Sequence, residues 1–421
     1  MDEPFSVVCA GTRPWDDVVP HTGHHMMRAL AAQGRRTLYL ETNHFIGRDV
    51  SRRARSRPDG TVRRLFGGDD LVPGITVARA VNLLPRRHKY GFAAMVNSAA
   101  TVPFVRRLIA GFPKPVVLWI YDPTALSMAG SLGEALTVYD CVDDLPEHVG
   151  EDPRRRAFIA LADRRAAERA DLVFATSTVL RDRHVQVNPK TFLYPNGTDH
   201  VHFSHAADRS AAAPEVAGLR RPVIGFAGNF ISWKIDFALL EHVARARPDW
   251  TLLLVGPAHE GTHEPLTRLA RLANVEWLGA RPYSEMPGYV AAFDVGLCPY
   301  QWNAAMQSGF PLKLYECLAA GKPVVATGNP DLAGMEPDVV LVRDPAEAVT
   351  AIEAALRRDS EDDRTRRMTL GAQHTWERRA LRLVEHIAAE LQLATQARPA
   401  SVQADELRAA ATGALRKVGE G

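Results

Sequence analysis

Short β-branched runs alternate with longer amphipathic runs along nearly the whole chain, and no other feature constrains the fold as much. In the first half, FSVVCAG (5–11), RTLYLET (36–42), ITVAR (75–79), PVVLWIYDP (115–123), ALTVYDCVDD (135–144), DLVFATS (171–177) and TFLYPNGTD (191–199) read as strands. Helical patterns fall between them at 24–34, about 89–110 and 153–170. The second half repeats the style, with strands at RPVIGFAGN (221–229), WTLLLVGP (250–257), VEWLGA (275–280), DVGLCPY (294–300), KPVVATG (322–328) and VVLVRD (339–344). Such alternation predicts parallel sheets with helices on both faces. A chain of 421 residues exceeds one hydrophobic core, so two such units are expected. SHAADRSAAAPEVAGLR (204–220) has little periodicity and reads as the linker. The expected organisation is α/β, with one Rossmann-like doubly wound domain over 1–203 and a second over 221–373. A long amphipathic helix follows at 374–393, then a polar, Ala-rich tail over 394–421.

Composition removes several functions. Net charge is +2, so no global field draws nucleic acid. The four cysteines are far apart and form no C-x-x-C, which indicates neither a zinc site nor a redox pair. Reduced thiols in a cytoplasmic protein are the simple reading. The first residues lack an apolar run, and nowhere do enough apolar residues follow one another to predict a membrane span. Basic residues do gather locally, at 48–64 and 85–90. A solvated surface is the default for such runs. Docking to an anionic membrane surface or to a phosphorylated acceptor is the alternative.

In open α/β sheets, ligands bind outside the carboxyl ends of the strands, where strand order reverses. Three stretches carry suitable chemistry there. In SGFPLKLYE, Ser308 reads as a helix N-cap and Pro311 as part of the first turn. Gly309 allows close backbone approach. The free amides of Gly309, Phe310 and Leu312, with Lys313, suit a phosphate. Glu316 shares a face with Lys313 and suits two vicinal hydroxyls. An ordinary capped helix with an ion pair is the competing reading. In GFAGNFISWKID, Gly228 and Asn229 form a turn with Lys234 as counter-charge, or a purely structural turn. In WLGARPYSEMPGYV, Gly279 ends a strand and Arg281 follows, a pattern that an ordinary strand–loop–helix also explains.

Together these stretches resemble the donor-binding domain of GT-B fold glycosyltransferases, of the retaining family 4-like group. The family pattern is a glutamate, seven residues and a second glutamate around Gly-Phe-Gly/Pro, then Ala-x-Gly-x-Pro-Val-Val-Ala. GFPLKLYECLAAGKPVVAT fits from Gly309 onward, and its glutamate is Glu316. The first glutamate position holds Ser308, a departure. IGFAGNF, LLLVGP, LYPNGTDHVHF and the HTWERRALRLVEHI helix extend the likeness over roughly 190–390, whereas the first domain fits in outline only.

The resemblance implies two domains facing a central cleft, the first for acceptor and the second for donor, with the C-terminal helix crossing back to the first. The donor would be a nucleotide-diphosphate sugar, UDP-linked by preference, and the co-substrate rather than a cofactor. Glu316 would hold the ribose, Lys234 and Lys313 the diphosphate, and Arg281 would border the base. No metal is called for, and configuration would be retained. The acceptor would be a hydroxyl or amine on a natural product, a carrier-bound molecule or a cell-envelope glycan. Where the family often has a histidine, this chain has Tyr121, with Asp122 next to it as candidate base. From the PHTGHH segment, His24 is expected near the acceptor. Alternatives are a nucleotide-sugar-binding partner protein with reduced catalysis and a GT-B-type epimerase. A monomer or homodimer is expected.

Overall fold

The computed structural model describes residues 5–15, 20–42, 68–149 and 152–396. The basic run 48–64 and the tail beyond 396 lie outside them. The first sheet holds eight strands: β1 (Ser6–Gly11), β2 (Thr37–Glu41), β3 (Asp69–Val72), β4 (Ile75–Arg79), β5 (Val116–Ile120), β6 (Leu136–Cys141), β7 (Leu172–Ala175) and β8 (Thr191–Leu193). Their order is β3-β4-β2-β1-β5-β6-β7-β8. All pairings are parallel except β3 with β4. β1 and β5 are fully buried, as continuous apolar runs in a covered parallel sheet should be. The short antiparallel β3 was not anticipated, because GDDLV lacks an apolar run.

The second sheet holds β9 (Val223–Ala227), β10 (Thr251–Val255), β11 (Val275–Trp277), β12 (Val295–Cys298), β13 (Val324–Ala326) and β14 (Val339–Leu341). Its order is β11-β10-β9-β12-β13-β14, all parallel. Strand order reverses between β1 and β5 in one sheet and between β9 and β12 in the other. The loops after these strands are therefore where ligand chemistry belongs.

Residues 204–220 form short helical turns rather than an extended linker, and their Ala206 and Val216 are buried in the second domain's core. The helix Trp376–Gln396 returns to the first domain. Its Trp376, Ala380, Leu383, Val384, Ile387 and Leu391 join that core. Beneath it, Arg379 meets Asp140 of β6 at 2.7 and 3.1 Å, a pair almost wholly out of water. Among the described residues, no helix is long and apolar enough to cross a membrane.

Candidate active site

A cleft between the domains collects loops from the carboxyl ends of both sheets. On the second-domain side, the chain leaves β9 through Gly228 and Asn229 and returns by Lys234. The turn is tight because β10 ends in Gly256 at φ +143°, where an added Cβ would lie 1.8 Å from the Gly228 carbonyl oxygen. Only glycine fits there. The Lys234 ammonium lies 5.2 Å from the centre of the Tyr300 ring, and its carbonyl accepts from the Gln301 amide at 3.0 Å. Burial pushes the Lys234 pKa down, and Asp143 across the cleft opposes this.

The glycine-rich motif differs locally from its sequence reading. Ser308 does not cap the helix that follows. It ends a short helix, Ala304–Ser308, and the N-cap position of the helix Leu312–Ala319 is Pro311, which has no capping side chain. The Ser308 hydroxyl bonds to the Ala304 carbonyl at 2.8 Å and to Asp144 of the first domain at 3.1 Å. Ser308 is absent from the cleft lining, whereas Gly309, Phe310, Pro311, Leu312, Lys313 and Glu316 are all in it.

Three successive carbonyl oxygens in this turn are held by side chains. Ser177 donates to Ser308 O at 2.6 Å, Asn329 to Gly309 O at 2.6 Å and Asn196 to Phe310 O at 3.1 Å. A planar trans peptide places N–H opposite C=O, so the Asn329 contact turns the Phe310 N–H the other way. The first amides of the following helix have no intrahelical acceptor. Lys313 Nζ lies 3.0 Å from both oxygens of Glu316, one turn on. Burial raises the Glu316 pKa, and Lys313 opposes that rise.

The first domain contributes Arg13 from the loop after β1, and His21 and His25 from the start of the helix Thr22–Ala32. His25 stacks on Trp376, with ring centroids 5.0 Å apart and planes 3° from parallel. Burial, reinforced by Arg13, His24, Lys234 and Lys313, lowers the His21 pKa to about 3. Burial with Arg28, His24 and Lys313 lowers His25 to about 3. Both imidazoles are therefore neutral near pH 7. Asp143 and His148 complete this side, and His148 lies 4.7 Å, ring to ring, from Trp233.

His24, Tyr121, Asp122 and Arg281 are not brought to the cleft. His24 is 1% exposed: it precedes His25 by one residue, about 100° round the helix, and its ring turns inward. It sits between Trp15 and Tyr39, and its Nδ1 accepts from the His21 amide at 3.1 Å. Tyr121 is buried beneath Gly23. Asp122 is consumed by local bonds: Thr124 N at 3.0 Å, Thr124 Oγ1 at 2.6 Å, Thr42 Oγ1 at 2.9 Å and His88 Nε2 at 3.2 Å. Burial alone would raise its pKa, but His88, Arg87 and these bonds hold it far below the carboxylate range. A carboxylate so stabilised is a poor proton acceptor. Arg281 is paired with Glu215 at 3.1 and 3.2 Å and does not line the cleft.

Sequence reasoning left Arg13, His148, Trp233, Tyr300 and Trp376 unassigned. The strand-end rule points to Arg13 and Tyr300, which follow β1 and β12. Trp376 arrives from a distant helix that only tertiary packing positions. Among the described residues, one group has the donor types of a metal site: Cys141, Asp163 and His184. These are buried beneath the first sheet, away from the cleft, and bond to one another and to Tyr139.

Residues 221–358 match the family Glycosyl transferases group 1. A Bacillus subtilis (strain 168) protein named as a teichuronic acid biosynthesis glycosyltransferase, TuaH, is 33% identical over 234 residues. That match covers 52% of this chain and 57% of the relative, so the chain spans little more than half the relative's length. Among solved structures, Anabaena Alr3699/HepE in complex with UDP-glucose superposes with a TM-score of 0.63 at 18% identity, covering 91% of this chain and 99% of that one. Sucrose-phosphate synthase from Thermosynechococcus elongatus gives 0.66 at 17%, covering 93% and 100%. These likenesses show the GT-B fold, as the motif around Glu316 implied.

Proposed function

Since residues 221–358 carry a group 1 glycosyltransferase domain in a GT-B fold, we propose that the chain transfers a sugar from a nucleotide-diphosphate sugar to an acceptor hydroxyl or amine. The observation that carries this reading is the Lys313–Glu316 pair on the first turn of the helix Leu312–Ala319, facing the half-buried Lys234 in one cleft. UDP is the preferred nucleotide, in keeping with UDP-glucose bound to the Anabaena neighbour.

Breaking the anomeric C–O bond leaves negative charge on the diphosphate. Lys234, Lys313 and the helix N-terminal amides stabilise that charge without needing a metal. Glu316 releases part of its hold on Lys313 and accepts from the ribose hydroxyls. Lys313 then turns toward phosphate. The sugar lies toward His21 and His25, and the neutral imidazoles of the first domain face the acceptor. Transfer proceeds with retention, the acceptor entering from the face that the diphosphate leaves and giving its proton to the departing phosphate oxygen. The domains already touch through Ser308–Asp144 and Asn196–Phe310, an arrangement that keeps water from the donor.

Thermal shift against UDP, GDP, dTDP and ADP, with and without EDTA, tests the donor site, because a ligand of the native state raises the midpoint by mass action. One nucleotide should shift the protein selectively, survive EDTA and lose its effect in Glu316→Gln. No shift with any nucleotide would refute the reading. Turnover of the matching nucleotide sugar separates an enzyme from a binding protein.

A further inference from the structure

Among the described residues, the first domain presents an apolar face with nothing packed on it. Phe92 is 67% exposed, Met95 57%, Leu83 53% and Tyr90 47%. Phe92, Met95, Ala99 and Pro103 follow one another at three- and four-residue spacing along the helix Gly91–Leu108, and all four are exposed. The solvent side of this helix is therefore an apolar stripe, the reverse of normal amphipathicity. Residues 81–84 run alongside. The Val81 amide donates to Thr101 at 2.9 Å and the Leu84 amide to Asn97 at 2.8 Å, which holds Leu83 beside the stripe.

Charge identifies the occupant. Between Asp70 and Asp122 the chain has no Asp or Glu, but it has Arg79, Arg86, Arg87, Lys89, Arg106, Arg107 and Lys114. Arg86, Arg106 and Arg107 are exposed at the two ends of the stripe, and Arg154 and Arg155 are exposed on the neighbouring helix Pro153–Arg169. Of the nearby carboxylates, Asp152 is paired with Lys89 and Glu147 with Arg156, and Glu134, close to the Ser131 carbonyl that Arg106 meets, accepts from the Gly130 and Leu132 amides. Bulky apolar side chains ringed by unopposed arginines fit the interfacial region of an anionic bilayer, where rings and thioethers enter the acyl boundary and guanidinium groups meet phosphates.

Position adds a reason. Buried Arg87 donates to Thr124 Oγ1 and to the Thr42 carbonyl, each at 3.1 Å. These partners follow β5 and β2. The basic turn is thus fixed to the same edge of the first sheet that opens into the cleft. We propose that Leu83, Tyr90, Phe92 and Met95 dock the first domain on an anionic membrane surface, so that the acceptor side of the cleft faces lipid. The surface holds or fails whether or not a nucleotide binds the cleft.

Co-sedimentation of the full chain with phosphatidylcholine vesicles, with and without phosphatidylglycerol, tests the proposal. Wild type should bind the anionic vesicles at least about tenfold better than the neutral ones, and less so in high salt. The double variant Phe92→Ser/Met95→Gln should lose about tenfold on anionic vesicles through lost apolar insertion. All of these side chains are exposed, so its unfolding midpoint should match wild type. Arg86→Gln/Arg107→Gln should remove much of the lipid-charge dependence. Absent binding to anionic vesicles overturns the proposal, as does full binding by Phe92→Ser/Met95→Gln. A wild-type dimer that this variant converts to monomer in sedimentation velocity would assign the face to a second copy, and also overturns it.

Discussion

Neutral histidines at the start of the helix Thr22–Ala32 make the first domain sensitive to acid. His24 is the cleanest case. Burial is the largest cause of its lowered pKa, and the Arg28 guanidinium adds to it, bringing the value to about 4. In the unfolded chain the value returns to about 6.5. Below that pH the unfolded state takes up a proton that the folded state refuses until about pH 4. The stabilisation is therefore complete above about pH 6.5 and is lost as pH falls toward the folded value. At pH 5 the gap from the unfolded value is about 1.5 units, so His24 alone costs about 2 kcal/mol relative to pH 8. His21 and His25, each lowered to about 3, add similar amounts. Their sum, about 6 kcal/mol, is comparable to the whole stability of a typical domain. His200, His374 and His386 are also lowered by burial and act in the same direction. Urea unfolding at about pH 8 and about pH 5 measures the total. Glutamine at position 24 can still accept from the His21 amide but does not titrate. His24→Gln should therefore shrink the pH-dependent loss by about 2 kcal/mol. An equal loss in wild type and variant, or a wild type as stable at pH 5 as at pH 8, would refute the assignment.

Three further outcomes follow from the geometry. Arg379→Met leaves the Asp140 carboxyl buried without its partner and should cost about 3–5 kcal/mol in urea unfolding; a cost below about 1 kcal/mol would mean that the pair is not desolvated. Asp122→Asn should destabilise the first domain by about 1–3 kcal/mol through lost charged hydrogen bonds while the proposed sugar transfer is kept by the folded protein; abolished transfer at unchanged stability would restore Asp122 as a catalytic base. Lys234→Met should weaken a nucleoside diphosphate about 10- to 100-fold in calorimetry, as loss of a charged contact does, and leave the free nucleoside unaffected; equal losses for both ligands would move Lys234 away from the phosphates.

The parts of this protein visible in its sequence are those set by local chemistry. Continuous apolar runs such as VVLWI and TLLLV must be buried on both faces, and they became central parallel strands. Lys313 and Glu316 sit three apart on a helix, so their contact follows from helical geometry alone. The misplacements share another cause. Serine before an apolar helix usually caps it, but here the chain first completes another helical turn, which only the contacts of Ser308 with Ala304 and Asp144 reveal. For His24 the helical phase does not decide, since it follows His21 by three residues, a same-face spacing. Its burial comes instead from the Trp15 and Tyr39 rings packed on it, which sequence does not show. Asp122 looked available because sequence cannot show Thr42, His88 and Arg87 converging on it from other loops.

The serine at position 308 changes more than one side chain. Where the resembled pattern has a carboxylate near the sugar, this chain has a hydroxyl bonded to Asp144. That carboxylate belongs to the other domain and is gripped by Arg183, which holds both its oxygens. A negative group therefore still stands at this locus, but its charge is neutralised and it faces the interface. Ser177 holds the Ser308 carbonyl from the same side, and the Thr178 amide donates to Asp331 at 2.7 Å. The position works as a seam between domains, and the seam runs directly into Gly309 and the turn that presents Lys313. A glutamate here would put a second carboxylate against Asp144 in a buried setting, where like charges repel strongly. Serine and Asp144 thus form a compatible pair. Under the proposed function, the polar groups that meet a donor sugar then come from elsewhere in the cleft lining, where Asp143, His21 and Asn196 stand closest in chemistry to what the missing carboxylate would supply.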